Sequence, residues 1–289
     1  MDTALELRIK RDKGETISPS EIDRLLARSR LVRRLIAVEP DRGLPLVWRL
    51  LALSQIPFAE RLIYTQTLAD RALRELGTPS GFTLSGSATD LLVCYNAMLA
   101  TALIRLGQHR APAVSAAIGW ILKHQSFARG RKTAWDGVGI QKYGGCLKAT
   151  PCYIGVVKSL RALLEYRRKQ RDPHLDLRID EGIEYVLGHH LFKRRHDGAP
   201  IVPHILEVSF PESYNLSLVE LLELADQAES LGDERVRPAL AHAQSLRCPD
   251  GTWKATYAYS AKGFVPFDRP GNSALWAGSI LKRICAKAQ

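Results

Sequence analysis

An all-helical fold is the expectation for this chain of 289 residues, and three observations carry it. Apolar residues recur at the helical period along most of its length, strand-type alternation is nearly absent, and Gly-, Pro- and Asp-rich breaks separate the periodic stretches. Hydrophobic residues make up 46% and charged residues 25%, a globular composition able to bury a core as one large domain or two small ones.

The elements follow in order. Residues 18–38 open with Ser18-Pro19-Ser20-Glu21, a capping sequence, and continue with Ile22, Leu25, Leu26, Val32, Leu35 and Ile36 at helical spacing. Segments 45–53 and 58–76 repeat the pattern, the second stopped by Gly77 and Pro79. Seven more periodic stretches, at 89–106, 112–125, 151–169, 180–192, 213–226, 234–247 and 272–286, bring the total to about ten helices. The helix ends IGWILKHQ, IEYVLGHH and LAHAQSLR recur roughly sixty residues apart, the length of a helical pair with its connections. Such repetition predicts an α-solenoid or its closed form, an α/α toroid, either incomplete or built of few helix pairs, in residues 80–289, preceded by an N-terminal helical extension in residues 1–79.

The formal charge of +11 raises the question of phosphate-bearing partners. The basic runs at Arg24–Leu35, Tyr166–Arg171 and Phe192–Arg195 lie on different elements, with no zinc-finger spacing and no aromatic RNA-binding motif beside them. A solvated basic surface is therefore favoured over a nucleic-acid face, and a positive cavity for a phosphate-bearing small molecule is a third reading. The opening MDTALELRIKRDKGE is unlike a secretory signal and no window approaches eighteen uninterrupted apolar residues, so a cytoplasmic protein without a membrane span is expected.

Five irregularly spaced cysteines argue against a disulfide framework. Two of them, Cys146 and Cys152, flank the start of the helix in GGCLKATPCYIGVVKSLRALLEY. Thr150 is placed as N-cap and Pro151 at the first helical position, which puts Cys152 in the first turn, where unpaired amides and the positive end of the macrodipole favour a thiolate. Three readings stay open for these thiols: a metal site, a reactive nucleophile, and packing of buried free cysteines. Loop and helix-end residues Asp136, His204, Glu207, Tyr214, Trp253, Tyr257, Tyr259 and Asp268 are further candidates. Asp136 has the alternative reading of a turn residue and Trp253 that of a helix-end cover. His204 and Glu207 stand out because APIVPHILEVSFPESY is long and apolar for a connection, as pocket-lining segments are.

The turn PDGTW at residues 249–253 resembles the QW-type repeat of squalene-hopene cyclases and protein prenyltransferase β subunits, with Arg247 in place of the repeat's glutamine. The ordered series CYNAMLATALIRLG, GWILKHQ, CLKATPCYIGVVKSLRALLEY, GIEYVLGHHLFKRRHDG, FPESYNLSLVELLELA and RPGNSALWAGSILKRI is similar to small bacterial and archaeal squalene-cyclase-like repeat proteins over residues 80–286. The resemblance implies a toroid with a central cavity and cysteines at Cys94, Cys146 and Cys152 as zinc ligands, completed by His190 or His196. The chain departs from that family where Ala149 or Thr150 replaces a histidine and Asn215 an acidic residue.

The acid run of class II cyclases and the Asp-rich magnesium motifs of class I enzymes are both missing from the sequence, since Asp176 and Asp180 form no such cluster and LADQAES is too sparse. The leading expectation is an enzyme on an isoprenoid-like or anionic small molecule, with Cys152, His204, Glu207 and Asp136 catalytic, Tyr214, Trp253 and Tyr257 against the substrate, and zinc as cofactor. The alternative is a non-catalytic helical scaffold binding nucleic acid or protein through its basic surface.

Overall fold

The computed structural model describes residues 1–131, 135 and 149–288. Among these residues there are twelve α-helices, two short 3-10 turns and a single hairpin of two-residue strands, Gly77–Thr78 and Gly81–Phe82. The chain is all-α. No helix among the described residues is long and apolar enough to cross a membrane.

The helices are α1 (Thr3–Asp12), α2 (Pro19–Arg28), α3 (Arg30–Ile36), α4 (Leu44–Ser54), α5 (Ile63–Leu76), α6 (Val93–Arg105), α7 (Pro112–His124), α8 (Tyr153–Arg167), α9 (Pro173–Leu187), α10 (Leu218–Gln227), α11 (Arg237–Ser245) and α12 (Leu275–Lys287). Side-chain caps explain where several of them differ from the periodicity. The 18–38 segment divides because Ser29 leaves helical geometry and its Oγ accepts from the Val32 amide, opening α3 as a separate helix. The same Oγ donates to Asp2, whose carboxylate also caps α1, a helix whose polar sequence hides it from a periodicity search. Helix α10 starts at Leu218 rather than 213 because Ser217 caps it through the Glu220 amide. Helix α9 begins at Pro173, its N-cap Asp172 accepting from the His174 amide, and ends at Gly188.

Six helices lie side by side in one direction. Helices α4, α6, α8, α10 and α12 contact one another in that order, and α1 packs on α12. Matching ends meet. At the starts of α6 and α8, a Cβ on Gly155 would stand 3.2 Å from Val93, while at their far ends Arg105 pairs with Glu165 at 2.8 Å. Lys158 to Glu220, Asp226 to Lys287 and Arg283 to Asp12 fix α8–α10, α10–α12 and α12–α1 in the same sense, and Gln55 at the end of α4 accepts from the amide of Glu212, whose carboxylate holds Arg105 at the end of α6. Helices α5, α7, α9 and α11 pack on α4, α6, α8 and α10. The α8–α9 approach is close enough that a Cβ on Gly182 would collide with Leu160 Cδ2. One continuous apolar core runs from Leu5 and Leu7 of α1 through Trp48 and Leu163 to Ile284 of α12, so residues 1–79 share it with the rest of the chain.

Helix α8 is enclosed on every side, with each residue from Tyr153 to Glu165 buried. Its start is later than the capping sequence predicts. Cys152 itself is the N-cap, in extended geometry, and the helix opens at Tyr153.

Candidate functional site

The starts of α6 and α8 bring Cys94 and Cys152 together. Cys94 is 7% exposed, and burial, reinforced by the neighbouring Cys152 sulfur, pushes its thiol up to about 12. The amides of Tyr95 and Cys94 and the Lys158 ammonium act in the opposite direction and are outweighed. Cys94 is thus a neutral thiol at physiological pH, and slow alkylation at pH 7 is expected for it. Mass-spectrometric mapping of iodoacetamide adducts checks this; Cys94 labelling as fast as exposed cysteine in the denatured chain would contradict it.

Beneath the thiols lies a buried ion pair. Lys158 Nζ donates to both carboxylate oxygens of Glu220 at 2.6 and 2.8 Å, with the two side chains 1% and 2% exposed. Burial and the nearby Glu212 raise the Glu220 carboxyl against the pull of Lys158.

Aromatic side chains form the adjoining wall. Tyr95, the residue after Cys94, stacks on Tyr214 at 5.8 Å and meets the edge of Trp48 at 6.1 Å. Tyr259 and Phe264 also close on Trp48, at 5.2 and 6.1 Å. Tyr95, Tyr214, Tyr259 and Phe264 are all half-buried. Burial raises the Tyr95 hydroxyl well above its ordinary value, with Cys94, Tyr259 and Tyr214 adding to it, so the wall and the thiol share one environment. The loop before α10 supplies Tyr214 and also His204, which stacks on Tyr257 at 3.8 Å. Asn215 donates to the Tyr257 hydroxyl at 2.9 Å, an orienting contact that a carboxylate at this position could not donate. Two hydrogen bonds of 2.9 Å between Val208 and Thr256 tie the segment to the loop before α12.

The sequence candidates are distributed as follows. Cys94, Cys152 and Tyr214 meet in this mouth, and His204 with Tyr257 extends it along the loop that carries Tyr214. Glu207 is half-buried, and its backbone bonds His204 and Leu218. Trp253 is 2% exposed and donates to the Ala243 carbonyl at 2.7 Å, the geometry of a helix-end cover. Asp268 caps α12 by accepting from the Trp276 and Ala277 amides at 3.1 and 2.8 Å. His196 is 74% exposed and faces Asp197 at 3.2 Å, and His190 lines a shallow basic surface with Lys193, Arg194 and Arg195. Cys146 and Asp136 lie outside the described residues. Among the described residues no three His, Cys, Asp or Glu side chains gather as metal ligands, so Cys94 and Cys152 alone do not fit a tetrahedral zinc.

Sequence reading passed over Trp48, Tyr95, Lys158, Arg161, Glu212 and Glu220. The signal for two of them is legible afterwards: Lys158 and Arg161, with Glu165, recur at three- and four-residue intervals in a helix otherwise largely apolar, where a charge needs a buried partner.

Fold and site define an all-helical protein with a mouth of thiol and aromatic side chains over a buried ion pair. No protein-family model and no curated protein sequence matches the chain.

Proposed function

We propose that this protein is an α/α-toroid enzyme that takes an isoprenoid-like small molecule at the mouth formed by the starts of α6 and α8. The succession of parallel contacts from α4 to α12 and on to α1 supports the toroid. The observation that carries the substrate class is the wall of half-buried rings, Tyr95, Tyr214, Tyr259 and Phe264, around Trp48 and directly beside Cys94. Ring faces bind apolar chains and allylic cations through dispersion and the ring quadrupole, and they leave few polar groups to compete with hydrogen bonds. Cys152 is the reactive candidate, because it sits at the start of a helix whose dipole favours an anion there, while Cys94 is held neutral.

Titration with farnesol, followed by tryptophan fluorescence, tests the substrate class. Saturable quenching that is lost in the Tyr95→Ala/Tyr214→Ala double variant, with its helix content intact, is the expected result. Quenching that never saturates, or is unchanged in the variant, overturns it. Zinc enters this reading only through Cys146 and a fourth donor joining the two thiols. Elemental analysis of protein purified without a metal-affinity column decides the matter: about one zinc per chain, lost in Cys152→Ser, is expected of a metal site. Metal-free native protein that a chelator leaves unchanged removes zinc from the reading.

A further inference from the structure

The same helices that bring Cys94 and Cys152 together at their starts end around a second space. Arg105 closes α6 eleven residues beyond Cys94, about 16 Å along the helix at the usual rise per residue. Between the ends of α1, α6, α8, α10 and α12 lies a cavity of about 1230 Å³. Its floor is an alternating lattice of charge. Arg105 donates to Glu165 and Glu212 at 2.8 Å each, and Arg161 donates to Glu212 at 2.6 Å. Arg8 donates to Glu223 at 2.8 Å.

The bland account is that these charges neutralise one another and serve only to join the helices. Three observations go further. Basic side chains outnumber acidic ones around the cavity, and among the described residues Lys169 and Arg171 at its rim pair with no carboxylate. Two rim pairs, Arg167 to Asp176 and Arg168 to Glu165, stand at 3.6 Å, longer than a charge-assisted hydrogen bond, so these guanidiniums are held loosely. Finally Arg161, whose side chain is 1% exposed and lines the cavity, is held between two carboxylates, with Glu212 at 2.6 Å and Glu220 at 4.0 Å, so the cationic lattice reaches from the rim to the core. A rim with more guanidinium and ammonium groups than carboxylates, two of them without an ion pair among the described residues, is what an anion with several oxygens satisfies. The volume exceeds a single phosphate several-fold and matches a ligand of nucleotide size.

We propose that this cavity binds a small molecule carrying a polyphosphate group, with Lys169 and Arg171 at the rim, and the loosely held Arg167 and Arg168 beside them, engaging the phosphates. The interior carboxylates set the specificity. Glu165, Glu212, Glu223 and Asp226 are each already committed to an arginine or lysine, so an incoming anion must bring enough charge to engage the free rim cations, which favours several phosphates over one carboxylate. Helix C-termini normally attract cations, which accounts for basic residues in the last turns of α1, α6, α8 and α12. Lys169 and Arg171 lie beyond the end of α8, so that account does not cover them.

Isothermal titration with sodium tripolyphosphate at low ionic strength tests the site on the full chain. One site per chain is expected, with affinity falling as salt rises. Lys169→Ala/Arg171→Ala, two exposed positions whose replacement leaves the helix spectrum intact, should weaken binding at least tenfold. Arg194→Ala/Arg195→Ala, on the separate basic surface beside His190, should leave it unchanged. A nucleoside triphosphate that binds more tightly than tripolyphosphate indicates that the cavity also takes the organic body; equal affinity indicates recognition of phosphates alone, and both results support the site. Absence of heat at low salt, equal weakening by the two double variants, or tighter binding of a single-stranded oligonucleotide that both variants weaken alike overturns it, the last in favour of a diffuse nucleic-acid surface. Farnesol quenching at the thiol mouth reads the other proposal separately, since Lys169 and Arg171 take no part in it.

Discussion

Glu212→Ala is expected to cost about 3–5 kcal/mol of folding stability, because it leaves the buried Arg161 and the half-buried Arg105 without their shared carboxylate. Glu212 Oε1 accepts from both Arg105 and Arg161, so its side chain pins the loop before α10 to α6 and α8, while the Glu212 amide ties the same loop to α4 by donating to Gln55 Oε1 at 3.0 Å. Burial works to raise the carboxyl, but Arg105 and Arg161 overcome it and hold the group well below its ordinary value of 4.5. The sign of the pH dependence follows. A carboxyl that ionises more readily in the folded chain contributes stability in full above its unfolded value, and that contribution drains away as pH falls below 4.5 toward the folded value. Glu165, lowered by Arg105 against burial, adds to the same trend. Urea unfolding followed by circular dichroism between pH 7 and 3 checks both points. Wild-type stability should decline below about pH 4.5 and the variant should show a shallower decline from a lower start; a variant as stable as wild type at pH 7 would refute the assignment.

Lys158→Met carries the second large effect, again about 3–5 kcal/mol, since it strands the Glu220 carboxylate in the core. The instructive comparison is the Lys158→Met/Glu220→Leu double variant. Replacing both members of a buried pair with apolar groups of similar size removes the desolvation penalty along with the attraction, so the double variant is expected within about 1 kcal/mol of wild type. Arg161 Nη1 donates to the Glu220 backbone carbonyl at 3.0 Å, a contact the leucine keeps, which limits collateral damage. Additive losses in the double variant would show that the pair is bound into the wider lattice through more than its mutual contact. Farnesol quenching retained in a stable double variant would show that the pair supports the mouth without touching its ligand.

Much of the fold was legible because burial and capping leave local marks. Ser18 and Pro112 stand at helix starts where such residues suit the unpaired amides, and the apolar spacing of α5, α6 and α12 is that of helices with an inner face, whereas α9 starts at Pro173, seven residues ahead of the periodic stretch expected at 180–192. Helix α1 escaped notice because its apolar residues are few and its cap, Asp2, is shared with Ser29 across 27 residues of chain. The site was less legible. Cys94, Cys152 and Tyr214 could be suspected from residue type and position, whereas Trp48 and Tyr95 read as ordinary core residues until the loops holding Tyr259 and Phe264 close over them.

The sequence by itself determined that the chain is helical, where most helices lie, and that it carries an excess of positive charge, because each of these is a property of residue type and short-range spacing. Only the tertiary structure decided how the charges are used. Arg8 and Glu223, 215 residues apart, and Arg105 and Glu212, 107 apart, meet inside the molecule. Burial then turns what composition reads as solvated surface charge into a lattice that joins the ends of the helices. It acts oppositely on Cys94, which the start of a helix would favour as a thiolate: desolvation outweighs the dipole, and the thiol stays protonated.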